Sequence, residues 1–251
     1  MSTQANPNID AFQKDVVTNG GYQYTTNAPI SAQFANERLT IATLQAASLE
    51  NKKLLDIGCG DGTYSFELLN RGRASSILGI DPASEAITIA NKKAGSAQAS
   101  FQVASAYDLP FADNSFDVAI LRGVLHHLEF PEKAISESLR VAKEIIVIEP
   151  NGYNPVLKII EKLSKYHREH DEKSYPASKL FAWVNNSQGK VEKVFFAGLV
   201  PFFSPNWMAH CCKLFEGIIE KTPLIRNLCC AVCVLRAKSY QYNQKQKSEA
   251  A

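Results

Sequence analysis

Short apolar runs alternate with segments of helical spacing from Lys53 onward, and this alternation restricts the possible fold more than any other feature. The apolar runs are KLLDIG, SILGID, SFQVA, FDVAILRG and KEIIVIEP, and the helical patterns TYSFELLNRG, ASEAITIANKKAG and PEKAISESLRVA separate most of them. Strands that alternate with helices build a parallel sheet with helices on both faces. We therefore expect an α/β fold with a doubly wound sheet, preceded by a helix within PISAQFANERLTIATLQAASLE.

Size and charge limit the possible partners. A chain of 251 residues with 45% hydrophobic content can bury one sizeable core, so we expect one domain with additions. The net charge of +2, from 27 basic and 25 acidic side chains spread along the chain, predicts no nucleic-acid partner. The first residues do not have the pattern of a signal peptide, and no apolar run reaches the roughly 20 residues of a membrane span. We expect a cytoplasmic protein with a small or apolar partner and no membrane span.

The cysteines raise the question of a metal or redox site. Cys230 and Cys233 form a CxxC pair, which is one signature of zinc or redox chemistry. The run CCAVCVLRA is typical of a buried strand, in which residues three apart face opposite sides about 10 Å apart, beyond disulfide reach. We therefore expect reduced cysteines that pack in the core, and no metal site.

The stretch LLDIGCGDG at residues 54–62 follows the first apolar run. In a doubly wound sheet the ligand binds at the carboxyl ends of the strands, where this turn lies. Asp56 lies inside the strand and suits an ammonium group better than a pyrophosphate, which it would repel. Asp81 ends the next strand, where it can accept both hydroxyls of a ribose. We therefore expect a ligand with a ribose and a cationic end, the alternative being a tight turn with Asp81 as a helix N-cap.

Further segments follow this loop in a fixed order: LGIDPA, ASAYDLPFADNSFDVAI and LRGVLHHLEFPEKAISESLRVAKEIIVIEP. In this order they resemble the core of a class I S-adenosylmethionine-dependent methyltransferase of the small-molecule type, over about residues 50–150. The resemblance implies S-adenosylmethionine as the cofactor. It also implies a Rossmann-like, doubly wound sheet of seven strands with an antiparallel last strand, an N-terminal helical lid and a C-terminal helical insert.

The resemblance assigns roles within the cofactor site. The matching positions are, in chain order, Asp56, Gly58, Gly60, Asp81, Pro82, Ser105, Ala106, Leu121 and Arg122. The first three would hold the methionine portion, Asp81 the ribose, the two residues after Pro82 in this list the adenine edge, and the last two the region beneath the sulfonium; Pro82 is assigned to the cofactor site only. Many relatives have an aspartate where this chain has Ser105, so a hydroxyl or the backbone would contact the adenine amino group here.

These patterns divide the chain into four regions. Residues 1–49 form an N-terminal lid and helix, 50–150 the cofactor-binding core, 151–238 the sheet completion with a substrate-facing insert, and 239–251 a flexible tail. The insert concentrates aromatic side chains within residues 199–216, which indicates an apolar or large acceptor. Ordinary core, a dimer surface, or an amphipathic membrane-surface helix in LFEGIIEK are the alternatives for this insert.

The acceptor should lie beside the carboxyl ends of the fourth and fifth strands. Methyl transfer from a sulfonium is an in-line displacement, so the protein aligns the acceptor and supplies a base where the acceptor loses a proton. His126 and His127 follow the fourth strand, and an imidazole titrates in the useful range. We expect one of them to be that base, the alternative being helix capping or packing. Glu149 and Asn151 in EPNGYNP should orient the acceptor, or else bond their own loop.

An N-terminal segment is expected to close the site. Tyr22 and Tyr24 lie in GGYQYTTNAP, ahead of the first predicted helix. Similar methyltransferases cover the cofactor with such a segment, and tyrosine rings attract cations. We expect the two tyrosines to contact the substrate from a lid, although they could equally cover the core.

Three classes of function fit these patterns. The favoured one is S-adenosylmethionine-dependent methyl transfer to a small-molecule, lipid or sugar-containing acceptor, on oxygen and without a metal, by a monomer or homodimer. N- or C-methylation of a metabolite is its nearest variant. An NAD-dependent oxidoreductase or a non-catalytic cofactor-binding protein would have a similar sheet, and Asp56 counts against the oxidoreductase.

Overall fold

The computed structural model describes residues 25, 28–95, 98–163, 173–202 and 204–240. This part of the chain forms one sheet with the strands β1 Lys53–Ile57, β2 Ser76–Asp81, β3 Ala99–Val103, β4 Phe116–Arg122, β5 Ala142–Pro150, β6 Gly189–Ala197 and β7 Val232–Ser239. Their order across the seven-stranded sheet is β3-β2-β1-β4-β5-β7-β6. Strands β1 to β5 are parallel, and β7 runs antiparallel to both of its neighbours. The expected Rossmann-like sheet with an antiparallel last strand is confirmed.

Helices cover both faces of this sheet. Their bounds are α1 Ile30–Ala46, α2 Thr63–Arg71, α3 Ser84–Lys93, α4 Pro131–Val141, α5 Pro155–Leu163, α6 Ala177–Asn186, α7 Asn206–Lys221 and α8 Ile225–Cys229. Helices α1, α2 and α3 pack into the core on one face, and α4 and α6 into the core on the other. None of the helices in the described ranges combines the length and the apolar character that a membrane crossing requires.

The sheet changes its winding direction between β1 and β4. Strand β1 pairs with β2 on one side and with β4 on the other, and the last residue of β1, Ile57, lies opposite both Ile80 and Leu121. The carboxyl ends of these three strands therefore meet at one edge, with the loops after β1 and β4 leaving toward opposite faces. Such a switch point leaves a crevice in which ligands bind.

Residues 109–117 cover the end of the loop before β4 and the first two residues of β4, and their role is structural. Asn114 adopts φ +56°, which suits the turn, and the Phe111 and Phe116 rings pack edge to face at 5.1 Å. The Asp117 carboxylate accepts hydrogen bonds from the backbone N–H of Lys53 at 2.9 Å and from Lys143 Nζ at 2.7 Å. This segment therefore fixes β1 against β4 and takes no part in the crevice.

The segment before β7 differs from the predicted strand. Cys229 ends helix α8, and β7 begins only at Val232. The side-chain amide of Asn154 donates to the carbonyl oxygens of Cys229 and Cys230, at 3.2 Å each. These bonds occupy backbone acceptors that a strand would have offered to its neighbour, so the first residues of CCAVCVLRA remain helical or irregular. All six cysteines are free.

Helix α7 is fastened to α1 by a buried ion pair. Arg38 of α1 donates from Nε and Nη2 to the two carboxylate oxygens of Glu220, at 2.7 Å each. The same carboxylate accepts the backbone N–H of Gly198 at 2.8 Å. The pair therefore joins α1, α7 and the end of β6 at one point.

Replacement of Arg38 by alanine should lower the free energy of unfolding by about 3 kcal/mol, because it leaves the Glu220 charge without its partner in a mostly buried position. Urea denaturation measures this change. The control is Arg73→Ala, which removes a pair with Glu50 whose two side chains are 73% and 48% exposed, and should cost less than about 0.5 kcal/mol. Equal, small losses in both variants would contradict a role of the Arg38 pair in holding α7.

Candidate functional site

A cavity of about 550 Å³ lies at the carboxyl ends of β1, β2 and β4, at the switch point of the sheet. The predicted cofactor positions that line it are Asp56, Gly58, Gly60, Asp81, Pro82, Ser105, Ala106 and Arg122. His126 and His127 line the same cavity. The structure therefore brings together the glycine-rich loop, the acids of the first two strands and the histidine pair around one space.

The glycine-rich loop depends on its glycines for both conformation and space. Gly58, Gly60 and Gly62 all have positive φ, at +75°, +55° and +76°. A Cβ atom on Gly58 would lie 2.5 Å from Cγ2 of Val124, in the loop after β4. The N–H groups of Gly58 and Cys59 both donate to the carbonyl oxygen of Ile80, at 2.8 and 3.0 Å. The loop thus lies close to the ends of both neighbouring strands, and a larger residue at position 58 would push it away from β4.

Asp81 at the end of β2 is buried and holds two backbone groups. Its Oδ2 accepts the N–H of Gly60 at 3.0 Å, and its Oδ1 accepts the N–H of Ala83 at 2.9 Å. Burial raises the pKa of this carboxyl, while the two N–H donors oppose the rise. Each carboxylate oxygen has a second lone pair. Asp81 therefore serves the turn before α3 and can still accept ligand hydroxyls.

Asp56 is the buried acid of β1. Its Oδ2 accepts a hydrogen bond from the Ser65 hydroxyl at 2.5 Å. Burial raises the pKa of Asp56 to about 6, although the Ser65 hydroxyl and the Arg122 guanidinium favour the ionised form. A cationic ligand group beside this carboxylate would lower the pKa again, since an opposite charge favours ionisation. Asp56 is therefore suited to an ammonium group, as the sequence predicted.

Arg122 connects β4 to the N-terminal helix. Its guanidinium lies over the Tyr64 ring, 3.9 Å from the ring centroid. It donates to Thr40 Oγ1 at 2.9 Å and to the backbone and side-chain oxygens of Asn36 at 3.1 and 3.0 Å. Leu121, expected beside it, is fully buried in the core on the opposite face of the strand. Successive side chains of a strand point to opposite faces, so only Arg122 of this pair reaches the cavity.

The loop after β3 forms another wall. Ser105 and Ala106 both line the cavity, and the Ser105 hydroxyl accepts the backbone N–H of Tyr107 at 3.2 Å. The Tyr107 hydroxyl accepts the backbone N–H groups of Glu129 and Phe130, at 3.0 and 3.3 Å. This loop is therefore fixed to the segment that follows the histidine pair.

A buried carboxylate orients the first histidine. His126 Nδ1 lies 2.8 Å from Glu149 Oε2, and Glu149 is fully buried. The other carboxylate oxygen, Oε1, accepts the backbone N–H groups of Val124 and Leu125, at 2.9 and 2.8 Å. The His126 and His127 rings are in contact, with centroids 3.9 Å apart. When His126 Nδ1 donates to Glu149, Nε2 is left as the basic nitrogen of a neutral ring.

Neither residue expected to orient the acceptor from β5 lies on the cavity wall. Glu149 bonds His126 and the backbone of the loop after β4 instead. Asn151 is also fully buried, and its amide donates to the carbonyl oxygens of Asn227 and Cys230, at 2.8 and 3.0 Å. Asn151 thus bonds its surroundings, which was the alternative role for this loop, and it fixes the segment before β7.

The predicted lid residues Tyr22 and Tyr24 lie outside the described residues. Thr25 lines the cavity, and its hydroxyl donates to Asp61 Oδ2 at 2.9 Å. Lys93 Nζ donates to the same oxygen at 2.9 Å. Burial favours a raised pKa for Asp61, but the bonds from Lys93 and Thr63 hold it below its usual value. Asp61 was not predicted as a site residue. Its place inside LLDIGCGDG is the signal that could have identified it.

The far side of the cavity is largely apolar, although Glu161, Lys173 and Ser174 also line the cavity. Leu157 and Ile160 of α5 line it, together with Val200, Pro201 and Phe202 from the loop after β6. The sequence predicts apolar contacts with the acceptor in the segment after β6, but none in α5. The cavity thus has a polar end at the glycine-rich loop and an apolar end between α5 and this loop.

Comparisons with known proteins agree on the central region. Residues 55–145 match the family model of a methyltransferase domain. An uncharacterized methyltransferase, C1B3.06c of Schizosaccharomyces pombe, is 34% identical over 110 residues, which cover 40% of this chain and 37% of the relative. The O-methyltransferase resE of Aspergillus sclerotiorum is 33% identical over 128 residues, covering 49% of this chain and 48% of the relative. The chain thus spans about half or less of these curated relatives.

Solved structures resemble the fold over a longer range. A methyltransferase in complex with the Haloferax volcanii Trm112 activator has a TM-score of 0.65 at 16% identity, covering 92% of this chain and 97% of that chain. The YcgJ protein of Bacillus subtilis has a TM-score of 0.58 at 18% identity, covering 81% of this chain and 98% of that chain. At these low identities the likeness shows the fold alone. The shared fold covers a much longer part of the chain than residues 55–145.

The raised pKa of Asp56 predicts a pH-dependent stability. Since the folded pKa of about 6 lies above the usual 3.8, the folded state binds this proton more tightly than the unfolded chain. Stability should therefore fall as pH rises from about 4 to about 6, by up to about 3 kcal/mol. Asp56→Asn removes this loss. In urea denaturation, the free energy of unfolding of the variant minus that of the wild type should therefore increase between pH 5 and pH 7.5, by about 1 to 3 kcal/mol.

The matched control for this prediction is Asp117→Asn. Although partial burial opposes it, Lys143 and the N–H of Lys53 lower the pKa of Asp117, so its charge stabilises the fold above the usual pKa, and that stabilisation is lost as pH falls. The control should therefore lose stability relative to the wild type at the higher pH. A parallel response of the two variants would show that burial does not control Asp56.

Proposed function

We propose that this chain, whose residues 55–145 form a class I S-adenosylmethionine-dependent methyltransferase domain, transfers the methyl group of that cofactor to a hydroxyl of a small, largely apolar acceptor. The observation that carries the proposal is His126, which Glu149 orients and which lies on the wall of a cavity with both polar and apolar lining residues. The domain and its cofactor follow from the family match. The acceptor, the acceptor atom and the roles of individual residues are our inferences.

The residues at the polar end fit S-adenosylmethionine. Asp56 would face its ammonium group and Asp81 its ribose hydroxyls, while the loop from Gly58 to Gly60 approaches without side chains. Ser105 and Ala106 would border the adenine. When bound, the cofactor supplies an electrophilic methyl group on a sulfonium. A buried acid at the ammonium position also argues against a dinucleotide, whose pyrophosphate it would repel.

His126 is the better candidate for the base of the pair. Glu149 accepts a hydrogen bond from Nδ1–H of the neutral ring and would stabilise the imidazolium that forms when Nε2 takes the acceptor proton. The backbone donors on Oε1 keep this carboxylate in place. His127 contacts the His126 ring, and its part would be to hold that ring against the cavity. A protein that only binds the cofactor would not need an imidazole that a buried acid orients at an open cavity.

An apolar acceptor fits the other end of the cavity. The side chains of Leu157, Ile160 and Phe202 can bury hydrocarbon but offer no hydrogen bonds. Among the relatives are a protein named fatty-acid O-methyltransferase, 32% identical over 114 residues, and one named demethylmenaquinone methyltransferase, 32% identical over 121 residues. Another is named tRNA U34 carboxymethyltransferase. The apolar end of the cavity and the balanced charge of this chain favour an apolar small molecule over nucleic acid as the acceptor.

Carbon methylation is the second candidate. One relative is named as a ubiquinone/menaquinone biosynthesis C-methyltransferase and is 32% identical over 108 residues. A base positioned as His126 is would serve an acidic carbon as well as a hydroxyl. Transfer of radiolabelled methyl groups to a panel of apolar alcohols, phenols, quinols, amines and thiols, followed by identification of the methylated atom, separates the two. Products labelled only on nitrogen or sulfur would refute the proposed use of a base.

Replacement of His126 by alanine should lower turnover by about 10² to 10⁴-fold, the usual contribution of a positioned base. Affinity for S-adenosylmethionine, measured by calorimetry, should stay within about twofold, because His126 acts on the acceptor. His210→Ala is the control, since this histidine lies on the exposed part of α7 and should leave turnover unchanged. A chelator should also leave turnover unchanged, and in the described residues no cluster of three or more metal-ligating side chains occurs.

Two outcomes would contradict this assignment. Full turnover in His126→Ala together with a large loss in His127→Ala would move the base to the second histidine. Full turnover in both variants would mean that alignment alone drives the transfer, as expected for an acceptor that is already a good nucleophile.

A further inference from the structure

Helix α7 carries its large apolar side chains on the side that faces away from the protein. Trp207, Leu214 and Ile218 are 70%, 74% and 63% exposed. Their spacing of seven and then four residues places them on one face of the helix. Phe215 lies at the edge of this face and is exposed as well. An isolated exposed apolar residue is ordinary, but a continuous face of this kind marks a surface that is covered in the working protein.

The opposite face of α7 packs against the protein, and it combines apolar residues such as Ile219 with two acids. Ala209 and Glu216 are the buried residues of this helix. Glu216 accepts the backbone N–H of Leu199 at 3.1 Å and Lys213 Nζ at 2.6 Å. Glu220, four residues on, binds Arg38 and the N–H of Gly198. The helix is therefore held by hydrogen bonds and an ion pair. The largest apolar side chains of the helix nevertheless remain on its outer side.

Two neighbouring helices extend the apolar surface. Helix α8 contacts both α7 and α5, and Leu224 and Leu228 at α8 are exposed. Val156 and Ile159 of α5 are also exposed, at 58% and 57%. We use the term outer apolar face for these exposed side chains: Val156, Ile159, Trp207, Leu214, Phe215, Ile218, Leu224 and Leu228.

Among the described residues of these three helices, the charged side chains that are exposed are basic. The acidic side chains of the three helices, Glu161, Glu216 and Glu220, are 17%, 6% and 15% exposed and are bonded toward the protein. Basic side chains remain at the surface instead, including exposed Lys221 and partly exposed Lys213. An apolar face with basic residues and buried acids is complementary to a membrane surface that contains anionic lipid.

We propose that the outer apolar face docks this protein on the surface of an anionic lipid bilayer. Trp207, Leu214 and Ile218 would enter the boundary between headgroups and acyl chains, and Lys221 would face the lipid phosphates. This contact would be with the bilayer surface, and none of the described helices is long and apolar enough to cross a bilayer.

The position of the cavity supports lipid over a protein partner. Phe202, just before α7, lines the apolar end of the cavity and is 36% exposed. Leu157 and Ile160 of α5 line the same end, while their neighbours Val156 and Ile159 belong to the outer apolar face. Apolar side chains thus continue from the docking surface into the cavity. A docked protein would offer this end of the cavity to molecules dissolved in the bilayer.

Vesicle cosedimentation tests the docking without any measurement of turnover. The full chain should sediment with vesicles of phosphatidylcholine that contain about 30 mol% phosphatidylserine, and less with phosphatidylcholine alone. The combined variant Trp207→Glu, Leu214→Glu and Ile218→Glu should lower the partition coefficient by at least about tenfold, since charges replace the inserted side chains. Lys221→Gln should lower it by up to about fivefold on the anionic vesicles, and raised salt should have a similar effect.

The control is Val194→Glu, which adds the same charge at an exposed apolar residue of strand β6 and should leave the partition coefficient unchanged. Thermal melting of each variant should match the wild type, because the replaced side chains lie at the surface. Failure of the wild type to sediment with either kind of vesicle overturns the proposal, as does equal sedimentation of the combined variant. A wild-type dimer that the combined variant converts to monomers, without vesicle binding, would assign the face to a second copy of the chain. Methyl transfer could persist in all of these outcomes, so they leave the proposed function untouched.

Discussion

Buried carboxylates held by backbone N–H groups set the geometry of the site, and most of the crevice depends on them. Asp81 at the end of β2 binds the N–H of Gly60 in the loop after β1, and Glu149 at the end of β5 binds N–H groups in the loop after β4. In each case the acid of one strand fixes the loop of its neighbour. A buried charge without such donors would be costly, so the loops and the acids stabilise each other. The space between the two loops is the cavity.

A second set of contacts connects this crevice to distant parts of the chain. Arg122 fastens β4 to α1 through Thr40 and Asn36, and Arg38, on the same helix, fastens α7 through Glu220. Helix α1 therefore lies between the cavity and the outer apolar face, with one arginine contact toward each. If the face binds lipid, any movement of α7 would be transmitted to α1 and then to the residue of β4 that borders the cavity.

The sequence predicted the sheet well, and most positions assigned to the cofactor line one cavity, because strand alternation, glycine spacing and the acids at strand ends are local patterns. The sequence did not predict in which direction several individual side chains point. Leu121 was expected beside Arg122, yet adjacent strand residues point to opposite faces. Glu149 and Asn151 were expected to face the acceptor, but their partners come from residues 23 and 76 positions away along the chain. The exposed apolar side chains of α7 were also not predicted, since the sequence pattern does not reveal which face of a helix packs against the protein.

The position of β7 affects how the chain can reach its folded state. This strand lies between β5 and β6 and pairs with both over most of its length. Strand β6 therefore has no neighbour in the sheet until residues as late as 232–239 arrive. A chain emerging from the ribosome can form the first five strands early, but it must keep one exposed edge of β5 unpaired until this late segment is available. Such long-range pairing slows folding and favours intermolecular strand pairing in the meantime. During synthesis, the free edge of β5 is thus the place where a nascent chain of this protein would be most prone to aggregate.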